Sequence, residues 1–452
     1  MSAPTLSRPS VPGTAQPSRR THHPLFAEVR SGPARWIALA TFLTLALPLA
    51  AKAAYWQGSW GLAQLQLHTA AVLLGGPLAA AAGCWQGGRE RRSRTAELRV
   101  CGARGPLAQF LVAAAPVVLG VLAGYVLAAV GTLAATWPYA SSGRPHASPP
   151  AADAVFLSAV ALGGMVVGRL VRWRLAALAL AGCAYVALAL PTDQKAALRF
   201  LSPATTHGGG DALPVWWQPL AMAAWTGGLA AAAVLAYAAR RHWYAALPAL
   251  AIAAAAAVPL MRTGEDMWHP NPAGKAQVCN DSSPRVCVNA LNRDLLPEVS
   301  RALSGITSRL DGVANVPARF EDLHRAPRSG EAELPTLYLG QSVVRGELAE
   351  PEQFAWEAAA ALTSRDCDTF PTQRTDDAVR DWLVSNGLSE RRRQTTEENA
   401  REWGNATANA DAKANARALS HLTTMRDDQR RAWLGRYFAT AGRCDVSGVP
   451  AL

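Results

Sequence analysis

The sequence predicts an all-α polytopic membrane bundle of about seven transmembrane helices, followed by a soluble, mainly helical or α+β extracytoplasmic domain. Apolar residues make up 50% of the 452 residues and are concentrated before residue 262. Basic residues fall almost entirely in alternate loops between the apolar segments, and four cysteines lie in the polar C-terminal part. We therefore divide the chain into a disordered cytoplasmic arm (1–33), a transmembrane domain (34–262) and a disulfide-stapled tail (263–452).

Seven apolar segments are predicted to cross the membrane, because each comes near the roughly 20 residues that span about 30 Å of hydrocarbon. Tryptophans lie at many segment ends, where indole rings prefer the membrane interface. The first segment ends at Ala51-Lys52-Ala53, which is similar to a signal-peptidase site, so a cleaved first segment is the alternative. The segments are 36–55, 67–85, 106–137, 153–170, 175–190, 216–239 and 243–261.

The distribution of basic residues predicts the orientation of the chain. The N-terminal arm and the loops on its side of the membrane hold sixteen basic residues, whereas the short loops on the other side hold only Arg144, Lys195 and Arg199. The positive-inside rule makes the rich side cytoplasmic, and an odd number of spans then places the tail outside. The net charge of +11 belongs to this topological signal, since the tail alone is slightly acidic. A role in nucleic-acid binding is therefore not expected.

Cysteine placement agrees with that orientation. Cys279, Cys287, Cys367 and Cys444 all lie in the tail, and disulfides persist in oxidising compartments. Four cysteines allow three connectivities. We favour Cys279 with Cys287, because Pro284 and a polar run form a turn between them, which leaves Cys367 for Cys444. Four free thiols, or thiolates that bind zinc, are the alternative.

The tail reads as an ordinary soluble sequence with helical periods and turn residues. Helices are predicted at 297–310, 354–363, 376–386 and 424–440, the last opened by a capping arrangement from Thr424 to Asp427. Strands are predicted at 318–323 and 336–339. The polar stretch 391–416 is interpreted as a solvated helix or a loose connection.

Enzyme signatures are missing from the sequence. It contains no GxxxxGK[ST] loop for nucleotide phosphates, no HExxH zinc motif and no GxSxG nucleophile elbow, so we expect no catalysis, cofactor or metal. We also expect ionisable groups at membrane depth to be nearly absent, with Lys52 near an outer end as the exception. Ion-coupled carriers keep such groups in their spans, so this expectation favours a permease energised by a separate ATPase.

One stretch carries a family resemblance. The run WQGGRERRSRTAEL at 85–98 resembles the cytoplasmic stretch after the second span of actinobacterial ABC-2-type permease-like proteins, which reads Gly-Arg-Glu, further arginines, then Thr-x-Glu-Leu. The resemblance covers residues 30–262, and the chain departs from it by its seventh span and its large outer domain. In that family this connection approaches the partner ATPase. The resemblance implies the contact candidates Arg89, Glu90, Arg91, Arg92, Arg94, Glu97 and Leu98.

Two functions are compatible with these patterns. The first is a permease-like subunit of an ABC-type export or immunity complex, with a separate ATP-binding subunit, the lipid bilayer and a second permease copy as partners. The alternative is a non-transporting, membrane-anchored sensor or assembly protein whose tail is the functional unit. Seven spans exceed what an anchor needs, which favours the permease.

Overall fold

The computed structural model describes residues 33–92, 105–190, 197–206, 212–239, 243–323, 325–365, 372–402, 406–444 and 448–452. Of residues 90–92 and 406–409 it describes the backbone alone. The predicted arm, 1–33, lies outside the described residues except for Pro33. Over the described ranges, apolar helices form an N-terminal bundle, and helices around a small sheet form the C-terminal tail.

Within the described residues, the bundle contains six helical stretches that are long and apolar enough to cross a membrane. The predicted fifth segment forms a shorter apolar helix of 14 residues, α6, which is less than a straight crossing needs. Six of the seven predicted spans are thus matched by length and composition. The bundle helices are α1 (Ala34–Ala51), α2 (Trp60–Ala70), α3 (Gly76–Arg92), α4 (Pro106–Thr136), α5 (Ser148–Leu170), α6 (Ala176–Ala189), α7 (Gln218–Ala238) and α8 (Leu247–Thr263).

Helices α2 and α3 form one continuous helix, because a π-helical turn at Ala71–Gly75 joins them. The amide of Gly76 donates to the carbonyl of Ala71 across this turn. Such turns are rare inside α-helices and occur frequently near functional sites.

The end of α5 and the beginning of α7 lie at opposite ends of the bundle. Arg169, in the last turn of α5, lies over the rings of Phe110 at the start of α4 and Tyr237 at the end of α7. Helix α7 has 21 residues, so its first residue lies about 30 Å from this group. There, Met222 packs against Leu260 near the end of α8.

Four glycines bring α3 and α5 into close contact. A Cβ atom on Gly83 would lie 2.0 Å from the carbonyl oxygen of Ala161, and one on Gly168 would lie 2.0 Å from that of Cys84. A Cβ on Gly164 would come within 2.2 Å of the Ala80 carbonyl oxygen, and one on Gly87 within 2.4 Å of that of Met165. Glycine is required here because any side chain would force the backbones apart.

The first and third predicted spans pack in the same manner. On α4, a Cβ on Gly120 would lie 2.6 Å from the Ala34 carbonyl oxygen of α1, and one on Gly124 would lie 2.4 Å from that of Ala38. The GxxxG pairs Gly120 with Gly124 and Gly164 with Gly168 therefore both mark close helix contacts.

The tail folds around a four-stranded sheet. The strand order is β3–β4–β5–β6, with β3 antiparallel to β4 and the other two pairs parallel. Short strands β7 and β8 form a separate hairpin. The strands are β3 (Gln277–Cys279), β4 (Arg285–Asn289), β5 (Arg319–Glu321), β6 (Glu331–Glu333), β7 (Val343–Val344) and β8 (Glu347–Leu348); the helices are α9 (Leu296–Leu310), α10 (Pro351–Thr363), α11 (Gln373–Leu383), α12 (Gly387–Glu402), α13 (Ala406–Thr424) and α14 (Asp427–Phe438).

Several tail predictions hold and two are wrong. Helix α9 buries the predicted face of Val299, Leu303, Ile306 and Leu310, and the stretch 391–416 forms most of α12 and α13. Residues 336–339 form no strand, since Leu339 makes only a single bridge; β6 takes the sheet position instead. Helix α14 begins after Arg426 without a side-chain cap, so the capping arrangement at Thr424 is wrong: its hydroxyl bonds to carbonyls of the preceding helix.

The tail contacts the bundle at three places: a strand pair before α7, the segment after α1 and the segment after α4. Strand β1 (Ala212–Pro214), before α7, pairs with β2 (Trp268–Pro270), after α8. Gly58 follows α1, and its added Cβ would contact Leu339 at 3.2 Å. Gly346 lies against the backbone of Tyr139, which follows α4.

Candidate functional site

A polar group is buried where three bundle helices meet. His68 on α2, Tyr125 on α4 and Asp153 on α5 supply it. The Nδ1 atom of His68 lies 2.6 Å from Oδ1 of Asp153, and the Tyr125 hydroxyl lies 3.2 Å from Oδ2. Asp153 is only 4% exposed. The three side chains therefore form one hydrogen-bonded cluster, which we call the outer polar cluster.

The local sequence places His68 at this point. Ser59 caps α2, its hydroxyl accepting from the Leu62 amide at 3.3 Å, and His68 follows about two turns later, about 12 Å from Trp60 along the helix. The side-chain amide of Gln64, one turn earlier, bonds to both the carbonyl oxygen and the amide of His146, just before α5. These contacts hold α2 against the start of α5.

The hydrogen-bond partners of His68 indicate which protonation state of its ring fits this geometry. Nδ1 of His68 faces a carboxylate oxygen, and Nε2 lies 2.9 Å from the carbonyl oxygen of Pro203. Both partners are acceptors, and a neutral imidazole has one N–H to donate, whereas the imidazolium has two. The arrangement suits an imidazolium paired with the Asp153 carboxylate, and removal of the proton would leave one contact without a donor.

A cavity of about 120 Å³ adjoins the outer polar cluster. Most of its lining is apolar, with polar groups from Gln64, His68, Asp153 and Gln218. Pro203 and Trp268 also line it, so the cavity lies where the tail begins. A mostly apolar cavity with a few convergent polar groups is typical of a small-molecule site.

The expectation that Lys52 is the exception among spans that otherwise lack ionisable groups is wrong. His68 lies inside the second predicted span, and Asp153 is the first residue of the fourth. Each was hidden at the edge of an apolar run, where an isolated polar residue is usually exposed. The structure shows instead that the two edges meet, so the charged groups satisfy each other.

The ATPase-contact candidates are only partly described. Arg89 is exposed near the end of α3, and Glu90, Arg91 and Arg92 continue that helix with their backbones alone described. Arg94, Glu97 and Leu98 lie outside the described residues. The structure therefore neither joins these residues into a surface nor separates them.

The cysteines support the favoured pairing in part. Cys279 and Cys287 are directly opposite each other on β3 and β4 and form a disulfide. Cys444 is also disulfide-bonded. Cys367, its expected partner, lies outside the described residues.

The tail holds a buried charged network that ties α11 to α14. Arg365 lies 3.2 Å from Asp376 and donates to the Thr440 carbonyl at 2.6 Å. The Tyr437 hydroxyl donates to the same carboxylate at 2.6 Å. Burial, with this hydrogen bond, raises the pKa of Tyr437 well above its ordinary value. Every polar group here is satisfied within the tail, so we interpret the network as structural.

A second charged group lies at the edge of the tail sheet. Arg325 donates to the Glu331 carboxylate at 2.7 Å, and Arg319 lies 3.6 Å away. The hydrogen bond from Arg325 lowers the pKa of Glu331 to about 2. No group of three His, Cys, Asp or Glu side chains suitable for a metal ion occurs within the described part of the chain.

Comparison of the chain with protein-family models, with curated proteins and with solved structures finds no match. The outer polar cluster and its cavity are therefore assessed on their own geometry.

Proposed function

We propose that this chain is a permease-like subunit of a membrane export or immunity complex, energised by a separate ATPase. The observation that carries the proposal is the outer polar cluster beside its cavity. A buried charged pair in a membrane span is costly and usually marks a substrate or ion path. Because ion-coupled carriers also keep such groups in their spans, the pair supports a site within the bundle, and the separate ATPase is proposed from the resemblance of residues 85–98 alone.

A seven-crossing topology supports this proposal. Because α5 ends and α7 begins at opposite ends of the bundle, the chain between them has to pass from one to the other. Helix α6 contributes about 21 Å, which is roughly two thirds of the hydrocarbon thickness of about 30 Å. The Ser202 hydroxyl donates to the Leu188 carbonyl, and Pro203 reaches His68, so this path ends beside the outer polar cluster.

The basic end of α3 is the proposed ATPase contact. The arginine-rich ends of α3 and α5 lie on the side that the positive-inside rule makes cytoplasmic, and the tail then lies outside. An ATPase bound near Arg89 would act through α3, which is continuous with the helix that carries His68. Movement of that helix would change the outer polar cluster. The mostly apolar cavity favours an amphiphilic substrate with a polar head.

Co-purification of the complex in mild detergent tests the proposal. We expect a partner ATPase to accompany the chain, and substitution of Arg89, Arg91 and Arg92 by alanine to release it. Alanine at Arg240 and Arg241, on the same predicted side, is the control and should leave the partner bound. If no ATPase accompanies the wild-type chain and the α3 variant behaves like its control, the permease proposal should be abandoned.

A variant of the outer polar cluster separates binding from assembly. Asp153→Asn is expected to keep the ATPase bound while abolishing substrate-dependent stimulation of ATP hydrolysis. His269→Gln, an exposed histidine beyond α8, is the matched control. Unchanged stimulation in Asp153→Asn would show that the cluster takes no part in substrate handling.

Orientation is tested with an impermeant thiol reagent on intact cells. After reduction, the exposed Cys279 should be labelled, whereas Cys101, which lies in the predicted cytoplasmic loop, should react only after cell lysis. Labelling of Cys101 alone in intact cells would reverse the proposed topology.

A sensor or assembly role is the second candidate, favoured by the contacts between tail and bundle. Gly340 of the tail fits so closely on Tyr55 that an added Cβ would lie 2.4 Å from its ring. A ligand held by the tail could therefore shift loops that begin and end the spans. This role requires no ATPase, so the co-purification experiment discriminates between the two.

A further inference from the structure

A second cavity lies at the end of the bundle opposite to the outer polar cluster. It measures about 390 Å³ and lies between α3, the end of α5 and the start of α6. Trp85 and Gly88 form one wall, and Arg172, Trp173 and Arg174 form the other. We call it the inner cavity.

Two arginines of the inner cavity have no protein partner within the described part of the chain. Arg172 and Arg174 are exposed, and neither makes an ion pair or hydrogen bond to a described residue. Arg169, three residues earlier, differs because it lies 4.7 Å over the ring of Phe110. Two guanidinium groups that line one concave surface favour an anion as its occupant.

Tryptophans indicate the level of the inner cavity in the membrane. Trp85 and Trp173 both line it and are 45% and 58% exposed. Indole rings at helix ends prefer the headgroup region, which places the arginines at the depth of lipid phosphates. The neighbouring face of α6 is apolar and uncovered, with Leu178 and Val186 both exposed. A molecule with an anionic head and acyl chains would fit both surfaces.

We propose that the inner cavity binds an anionic phospholipid, with its phosphodiester between Arg172 and Arg174 and its acyl chains along α6. Basic pockets between membrane helices on the cytoplasmic side bind anionic headgroups. The lipid would fill the space beside α6, a bundle helix of only 14 residues, and hold its first turn near α3. This proposal is independent of transport, since it requires only a bilayer.

Native mass spectrometry of the purified full chain tests the site. The protein is taken from nanodiscs of phosphatidylcholine mixed equally with phosphatidylglycerol, and retained lipids are counted. We expect preferential retention of phosphatidylglycerol in wild type. In Arg172→Gln/Arg174→Gln the apparent affinity should fall about 25-fold, which corresponds to about 2 kcal/mol for two cationic charges.

Two further variants control for charge and for shape. Arg35→Gln removes an exposed arginine that lies beside Trp36 at the start of α1, outside the inner cavity, and should retain the lipid as wild type does. Ala177→Trp fills the inner cavity without a change of charge and should lose it. Equal loss in Arg35→Gln, or full retention in Ala177→Trp, would overturn a defined site.

Competition with soluble anions distinguishes a lipid from a free anion. Inorganic phosphate at millimolar concentration should leave phosphatidylglycerol bound, because phosphate has no acyl chains that could contact α6. Displacement by phosphate, or equal retention of both phospholipids by wild type, would refute the proposal. Retention of phosphatidylglycerol by the double arginine variant would refute it as well.

Discussion

Replacement of Gly164 by alanine should separate α3 from α5, and replacement of its neighbour Gly163 should not. An added Cβ at Gly164 would lie 2.2 Å from the Ala80 carbonyl oxygen, whereas one at Gly163 meets nothing within 4 Å. The two positions share a helix, a residue type and a substitution. They differ only in the face on which the new methyl group falls.

The magnitude follows from the contact distance. Carbon and oxygen atoms in close contact stand about 3.3 Å apart, so the helices have to move roughly 1 Å at Gly164. A gap of 0.5–1 Å already removes about a quarter to a half of the dispersion attraction between facing atoms, and overpacking typically costs about 1–3 kcal/mol. Alanine at Gly163 should instead stabilise the helix by about 0.5–1 kcal/mol.

Equilibrium unfolding in mixed micelles, followed by tryptophan fluorescence, measures the difference. We expect the free energy of unfolding of the Gly164 variant to be at least about 2 kcal/mol lower than that of the Gly163 variant. It should also weaken substrate-dependent stimulation, because α5 carries Asp153. Two variants of equal stability would refute the interpretation of these glycines as the contact between α3 and α5.

Three further predictions concern charged groups. His68→Gln should reduce the free energy of unfolding by about 3–5 kcal/mol, since it leaves Asp153 charged and buried, and a smaller loss in micelle unfolding would indicate that water reaches the pair. Arg365→Met should destabilise the tail by a similar amount, because it leaves the Asp376 carboxylate without its cationic partner. Thermal unfolding of the full chain measures this effect, and an unchanged unfolding temperature would be the contrary result. The pKa of Glu331 is lowered to about 2 from 4.5, so the stability contributed by this carboxylate is complete above pH 4.5 and disappears as the pH falls towards 2. Arg325→Gln should therefore make the free energy of unfolding less dependent on pH between about 2 and 4.5. An unaltered slope would contradict the ion pair as the source of the pH dependence.

Hydrophobic length and periodicity predicted most of the fold. The apolar segments from 106 and 216 match α4 and α7 within a few residues, and α9 matches the predicted helix within one residue. These elements are defined by their own sequence, through a long apolar run or a regular buried face. Among the described strands only β5 was predicted, because strands of two to five residues carry little period and depend on partners elsewhere in the chain.

The outer polar cluster could not be derived from the sequence, although its residues were visible. His68 and Asp153 are 85 residues apart and each stands at the edge of an apolar run. Nothing local indicates that the two edges are adjacent. Trp56 gives a similar lesson: it directly follows the first predicted segment, a position that predicts an indole at the membrane interface, and the structure buries it against the protein, where its N–H donates to the Leu49 carbonyl at 2.9 Å.

The π-helical turn at Ala71–Gly75 sets the helical phase of the second span. Gly83 and Gly87 are 15 and 19 residues beyond His68, so in a regular α-helix they would lie on average about 80° around the axis from it. A π turn accommodates about one additional residue, which rotates the following helix back by roughly 100°. His68 and the two glycines can therefore all face α5, and deletion of one residue from this turn would bring either the charged pair or the glycine contact out of alignment.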